Sequence, residues 1–221
     1  MRFFLDSAHV HEISYALEMW NIDGVTTNPR HVQASGKPFL RVVQEIGALF
    51  AGTDRPISVE INPHHTDHKA MLEEAEKLYA LCPQNFVIKV PSTEAGFKTC
   101  AALREKGIRA NVTLCFSASQ ALMAMRMGAT FVSPFIGWKE ANGEETVQFI
   151  RDICTIRDNY AFSTEVLVAA VRNGRQIAEA AIAGADVVTA GFSVFKDAFD
   201  HPYTHDGLKR FADFWDQTQY E

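Results

Sequence analysis

Short runs of apolar residues alternate with longer segments in which apolar positions recur every three or four residues, from one end of the chain to the other. The short runs predict strands at Phe3–Asp6, Gly24–Thr27, Pro56–Ile61, Phe86–Val90, Ala110–Leu114, Phe131–Pro134, Val166–Ala170 and Asp186–Thr189. The periodic segments predict helices, among them Lys69–Leu81, Gly96–Lys106, Ala118–Met127, Thr146–Asn159 and Arg175–Ala183. Gly107, Gly128 and Gly184 stand just past three of these, where a left-handed residue closes a helix. Apolar strands alternating with helices imply a parallel sheet covered by helices. Eight such units close into an α/β (β/α)8 TIM barrel more readily than they spread into an open sheet.

At ordinary element and loop lengths this barrel needs about 190 residues. The chain has 221. No linker or low-complexity segment interrupts it, so a single barrel domain over 1–221 is expected, with the remainder forming a C-terminal helix at Leu208–Gln217. Phe211, Phe214 and Trp215 make that helix too apolar for a free tail, and a neighbouring subunit is one surface it would pack on.

Composition narrows the function classes. With 47% hydrophobic and 22% charged residues the chain reads as globular rather than disordered or collagen-like. Lys and Arg number 21 against 27 Asp and Glu, a net charge of −6, and no basic run occurs, which argues against a nucleic-acid partner. The four cysteines form no C-x-x-C pair and read as reduced thiols. Neither a signal-peptide pattern nor a membrane-length apolar run is present, so no membrane association and a cytoplasmic location are expected.

In a barrel of this kind the active site lies at the C-terminal ends of the strands. The residues expected there are Asp6, the Thr26-Thr27-Asn28 segment, Glu60, Lys89, Asn111, Thr113 and Ser133. Lys89 stands out, in the otherwise apolar Phe86–Val90 strand. Burial disfavours an ammonium, and a neutral amine can attack a carbonyl to form a Schiff base. The plainer alternative is a lysine that reaches the barrel mouth and pairs with a carboxylate. Asp6 and Glu60 could divide the proton transfers of Schiff-base aldol chemistry; otherwise Asp6 caps a helix and Glu60 makes a salt bridge. His64 and His68, four residues apart, offer a rival metal-dependent aldolase site on one helix face. That signal is weakened by Thr66 or Asp67, which look like a helix N-cap. A non-catalytic anion-binding barrel is the remaining class.

The sequence resembles the transaldolase family, specifically the short branch that includes fructose-6-phosphate aldolases. The resemblance rests on Leu5-Asp6, Gly24-Val25-Thr26-Thr27-Asn28-Pro29, Ile88-Lys89-Val90-Pro91, Asn111-Val112-Thr113-Leu114 with Phe116-Ser117, Ser133-Pro134-Phe135 and His201-Pro202. It implies a barrel with Lys89 as the Schiff-base lysine and no metal or other cofactor. It further implies Asp6 as the acid/base at the substrate's C4 hydroxyl and Asn28, Asn111 and Ser133 as holders of the dihydroxyacetone hydroxyls. Thr27 joins that substrate-binding set, and Glu60 and Thr113 would position the catalytic water. The aldolase members resemble this chain with Gln in place of Glu60 and a tyrosine in place of Phe135, so the residues here look like the transferase pattern. The short branch also implies a homo-oligomer, a ring of subunits exchanging C-terminal helices.

Departures from the family pattern bear on the substrate. Sugar-phosphate members typically read S-P-F-x-G-R after strand 6 and A-S-F-R-N after strand 7, whereas this chain has Trp138 for the first Arg and Ala170 for the Ser. Arg172 and Asn173 remain, and Arg30 is a new cation. A phosphate near-dianion rewards two cations and several donors. Losing one cation, repositioning another and adding an indole wall resembles the sulfosugar branch, which passes a dihydroxyacetone unit from 6-deoxy-6-sulfofructose to glyceraldehyde 3-phosphate. The expected pocket for the anionic end is Arg30, Trp138, Arg172 and Asn173. The alternatives are an ordinary fructose-6-phosphate/sedoheptulose-7-phosphate transaldolase and a lyase that releases dihydroxyacetone.

Overall fold

The computed structural model describes residues 1–220; Glu221, the last residue of the expected domain, lies outside them. The chain runs β1 (Arg2–Asp6), α1 (Val10–Trp20), β2 (Gly24–Thr26), α2 (Pro29–Ala34), α3 (Phe39–Leu49), β3 (Ile57–Glu60), α4 (His68–Tyr79), β4 (Phe86–Pro91), α5 (Glu94–Glu105) and β5 (Ala110–Cys115). It continues through α6 (Ala118–Arg126), β6 (Phe131–Pro134), α7 (Ile136–Ala141), α8 (Val147–Asn159), β7 (Glu165–Val171), α9 (Gly174–Ile182), β8 (Val187–Ala190), α10 (Phe192–Phe199) and α11 (Pro202–Trp215). Each strand pairs in parallel with the next, and β8 pairs with β1, so the sheet closes as a TIM barrel. Strands covered on both faces need no polar side, which is why they read as near-continuous apolar runs.

Strand limits lie within a residue or two of the sequence expectation, and Gly107, Gly128 and Gly184 have the left-handed φ of helix-closing residues, 70°, 79° and 92°. The helices α1, α2, α3, α7 and α10 add to the segments singled out by periodicity. The C-terminal helix starts at Pro202, not Leu208, because the His201 ring accepts the Tyr203 amide and Pro202 needs no amide partner in the first turn.

Side chains two apart on a strand share a face, and this parity organises the barrel interior. Phe4, Val87, Phe131, Leu167 and Val187, with Ala169 just above them, form one buried cluster at its floor. Two residues further along the same strands stand Asp6, Lys89, Ser133, Ala169 and Thr189, so one inward face passes from an apolar plug to a largely polar layer at the C-terminal mouth. Gly24 makes room for the plug: a Cβ there would lie 2.8 Å from the Phe4 ring. A second close approach seats α5 on β4, where a Cβ on Gly96 would lie 1.9 Å from the Pro91 carbonyl oxygen. The larger core fills the layer between strands and helices.

The helix α11 stands apart. None of its residues is buried, and Leu208, Phe211, Phe214 and Trp215 are all exposed. No helix among the described residues is long and apolar enough to cross a membrane.

Candidate active site

Neighbouring strand ends bring the polar layer together. Asp6 is in register with Thr26, Glu60 with Lys89, and Lys89 with Asn111. Above them lies a cavity of about 240 Å³. Asp6, Asn28, Glu60, Lys89, Thr113 and Ser133 line it on the barrel side, and Arg30, Phe135 and Trp138 close it from outside. Two larger hollows, about 630 and 410 Å³, flank the mouth and meet at Glu60; neither contains Lys89 or Asp6.

The Lys89 side chain is 5% exposed. Its Nζ lies 2.9 Å from Glu60 Oε2 and donates to the Thr27 carbonyl oxygen at 2.9 Å. The carboxylate pair anticipated as the plain alternative is therefore present, and it is formed inside the cavity. Thr27 contributes through its backbone; its hydroxyl donates to the Ser58 carbonyl and its side chain does not line this cavity. Among the described residues Thr113 Oγ1 is the buried side-chain polar atom without a hydrogen-bond partner. Leaving such a hydroxyl unsatisfied costs about 1–3 kcal/mol, so it is a group for water or substrate to satisfy.

Asp6 does not cap a helix. It accepts from Thr26 Oγ1 at 2.7 Å and from Asn28 Nδ2 at 3.4 Å, and its Oδ2 lies 3.0 Å from His31 Nε2. Burial pushes this carboxyl up, but the His31 hydrogen bond and charge, then Lys89 and Thr26, outweigh it and hold it below its usual value. The Thr26 hydroxyl also meets Thr189 Oγ1 at 2.6 Å. Asn111 sits beneath the cavity, with its Nδ2 donating to Ser58 Oγ at 3.1 Å and its Oδ1 accepting from Ser133 Oγ at 2.7 Å.

The expected anion pocket assembles only in part. Arg30 and Trp138 line the cavity; Arg172 and Asn173 do not. The Asn173 side chain accepts the Gln176 amide and caps α9. Exposed Arg172 lies along Gly137, its Nε 2.8 Å from where a Cβ on that glycine would stand. Trp138 instead joins Phe135 and Phe116 in an aromatic cluster, each pair of ring centroids 5.8 Å apart. Leu114 and Ala170 have left-handed φ values of 56° and 58°, at the register shifts of β5 and β7. Both line the cavity.

The metal reading is corrected on geometry. His64 lies before the helix, which starts at His68 with Asp67 as its cap, so the two histidines do not share a helix face. The His68 ring meets Thr99 Oγ1 at 3.1 Å, and His65 pairs with Glu74 at 3.0 Å. Among the described residues no three His, Cys, Asp or Glu side chains stand together as a metal set. Sequence reasoning missed His31, Ser58 and Thr189. The signal for His31 was its place in the first turn after Asn28-Pro29, where a side chain can reach back to the mouth.

The sequence model of the Transaldolase/Fructose-6-phosphate aldolase family matches residues 3–220. The chain belongs to that family. It is a transaldolase-type enzyme built on a (β/α)8 barrel. It is 54% identical over 219 residues to the 6-deoxy-6-sulfo-D-fructose transaldolase of Priestia aryabhattai, covering 99% of this chain and 96% of that one. The protein of the same name from Priestia megaterium (strain ATCC 12872 / QMB1551) is 54% identical with the same coverage. A probable transaldolase of Erythrobacter litoralis (strain HTCC2594) is 47% identical, covering 99% of this chain and 98% of that one.

Proposed function

We propose that this transaldolase works through a Schiff base on Lys89 and transfers a dihydroxyacetone unit from an anionic ketose, 6-deoxy-6-sulfofructose, to an aldose phosphate such as glyceraldehyde 3-phosphate. The observation that carries the mechanism is the buried Lys89–Glu60 pair, opening on the same cavity as Asp6 and the unpartnered Thr113 hydroxyl. Glu60 takes the ammonium proton, and the neutral amine adds to the substrate's C2 carbonyl. Water held between Glu60 and Thr113 serves the proton transfers of imine formation and hydrolysis.

Asp6, kept ionised by its neighbours, then removes the C4 hydroxyl proton. The C3–C4 bond breaks, its electrons pass into the iminium to leave an enamine on Lys89, and the aldehyde departs. Addition of the enamine to the acceptor aldehyde reverses the sequence and returns the proton from Asp6. Asn28 and Ser133 hold the hydroxyls of the retained unit, and Asn111, expected to share that work, instead orients Ser133 from beneath the cavity.

Two things support the sulfonate donor: the names of the relatives at 54% identity, and a cavity edge built from Arg30 and Trp138. One guanidinium beside an indole suits a monoanion better than a phosphate near-dianion. Borohydride trapping with a panel of ketose phosphates and sulfonates tests both parts. The expected result is a label on Lys89, formed most efficiently from sulfofructose. A label on another lysine overturns the mechanism, and preference for the phosphates overturns the donor. We further propose a homo-oligomer in which the exposed apolar face of α11 packs on a second copy, the occupant its Phe211, Phe214 and Trp215 would match.

A further inference from the structure

We infer that His31 is a positioning residue for Asp6, fixing its carboxylate toward the substrate hydroxyl and holding it ready to accept a proton. The inference rests on the Schiff-base reading above, in which Asp6 is the acid/base.

The geometry begins in the backbone. Asn28 caps α2 by accepting the His31 amide at 3.0 Å, and this places residue 31 in the first turn. From there the ring reaches back to Asp6 Oδ2 at 3.0 Å, while Oδ1 is taken by Thr26 at 2.7 Å. Both carboxylate oxygens are thereby held, one by a strand neighbour and one by a helix. Between them the Asn28 amide spans both oxygens at 3.4 Å, a long contact that a substrate hydroxyl can replace. The His31 ring is 24% exposed, so its far edge can exchange protons with solvent. An isolated surface histidine would need none of these arrangements.

The charged groups facing this pair from the surrounding elements are Lys89 of β4, Glu60 of β3 and Arg30 beside His31 on α2. Thr26 of β2 and Thr189 of β8 contribute hydroxyls only. Of these side chains only Thr26, Asn28 and His31 make hydrogen bonds to Asp6. A change at position 31 should therefore act on Asp6 and leave the Lys89–Glu60 pair intact. With Nε2–H donating to Oδ2, the carboxylate form is favoured, and the retro-aldol proton moves from the substrate hydroxyl to Asp6 only as the C3–C4 bond breaks. Without the imidazole, the same carboxyl takes up a proton at higher pH and cannot act as base.

The test compares wild type, His31→Leu and His31→Gln in pH profiles of kcat/KM, alongside borohydride trapping of dihydroxyacetone. In His31→Leu the acid limb should move up by roughly one pH unit, the scale of one lost charge-assisted hydrogen bond. His31→Gln, which keeps a donor, should fall between. Trapping should be unchanged in both, because dihydroxyacetone has no C3–C4 bond to break. In an Asp6→Asn background the His31→Gln change should have little further effect on the residual rate. An acid limb that stays in place while trapping survives overturns the role of His31 alone. Absence of trapping in the wild type overturns the Schiff-base reading beneath it. Should His31→Leu fail to fold, the His31→Gln limb and the double mutant still decide the question.

Discussion

Glu60 and Lys89, adjacent across the β3–β4 pairing, meet at 2.9 Å with side chains 16% and 5% exposed. A buried ion pair contributes little net stability, yet removing one partner strands the other. Lys89→Met should therefore cost about 3–5 kcal/mol, the penalty of an uncompensated buried charge. Lys89→Met combined with Glu60→Gln should be more stable than the single mutant. Urea titrations of the three proteins check this; a double mutant less stable than Lys89→Met would mean that Glu60 is held by other partners.

Glu60→Gln should slow Schiff-base formation and exchange by roughly 10²–10⁴, the usual range for one acid/base group. Thr113→Val removes the unpartnered hydroxyl and should slow the same step with little loss of stability. Single-turnover trapping rates provide the comparison. Unchanged rates in both variants would make the pair structural.

Arg30→Ala should lower kcat/KM for an anionic donor by roughly 10- to 100-fold, the effect of one charge-assisted hydrogen bond of about 1.5–3 kcal/mol, while sparing an uncharged ketose. Trp138→Arg should move preference toward fructose 6-phosphate. Measuring kcat/KM for sulfofructose and fructose 6-phosphate with a common acceptor in all three proteins checks both. Wild type that strongly favours the phosphate would leave only the general transaldolase reading.

Burial pushes the Cys100 and Cys115 thiols up to about 12 and Cys154 up to about 11. Thiolate is the reactive form, so near pH 8 a thiol reagent should label only the half-buried Cys82 in native protein. After denaturation all four should react. A second fast thiol in the native state would contradict the packing of these helices and strands.

For α11, Phe211→Glu with Phe214→Glu should yield a smaller species in sedimentation while dihydroxyacetone trapping at Lys89 persists. A wild type of the same mass as the double mutant would remove the case for a second copy on this face.

The barrel was legible because buried parallel strands leave apolar runs with little competing pattern, and Lys89 was legible because it interrupts one of them. The short helix α7 offered too few turns for periodicity to show. His31 follows Asn28-Pro29-Arg30, a first-turn place from which a side chain can reach back to the mouth, but nothing in the sequence names Asp6, 25 residues away on β1, as its partner. Arg172 and Asn173 were misplaced from the cavity because strand order fixes which strand end they follow, but not whether a side chain turns inward. Asn173 turns to cap its own helix.

The closeness of α5 to β4 at Gly96 has a consequence for anyone mapping this enzyme by substitution. A methyl there would collide with the Pro91 carbonyl at 1.9 Å, two residues beyond Lys89, and the clash is with backbone, which cannot swing aside. Relief would have to come from sliding the helix or lifting the strand end that carries the amine. Position 96 should therefore score in an activity screen as severely as a residue of the mouth, though it never meets a sugar. Directed evolution of donor range would gain more from Phe116, Phe135 and Trp138, whose rings pack against one another on that side of the entrance.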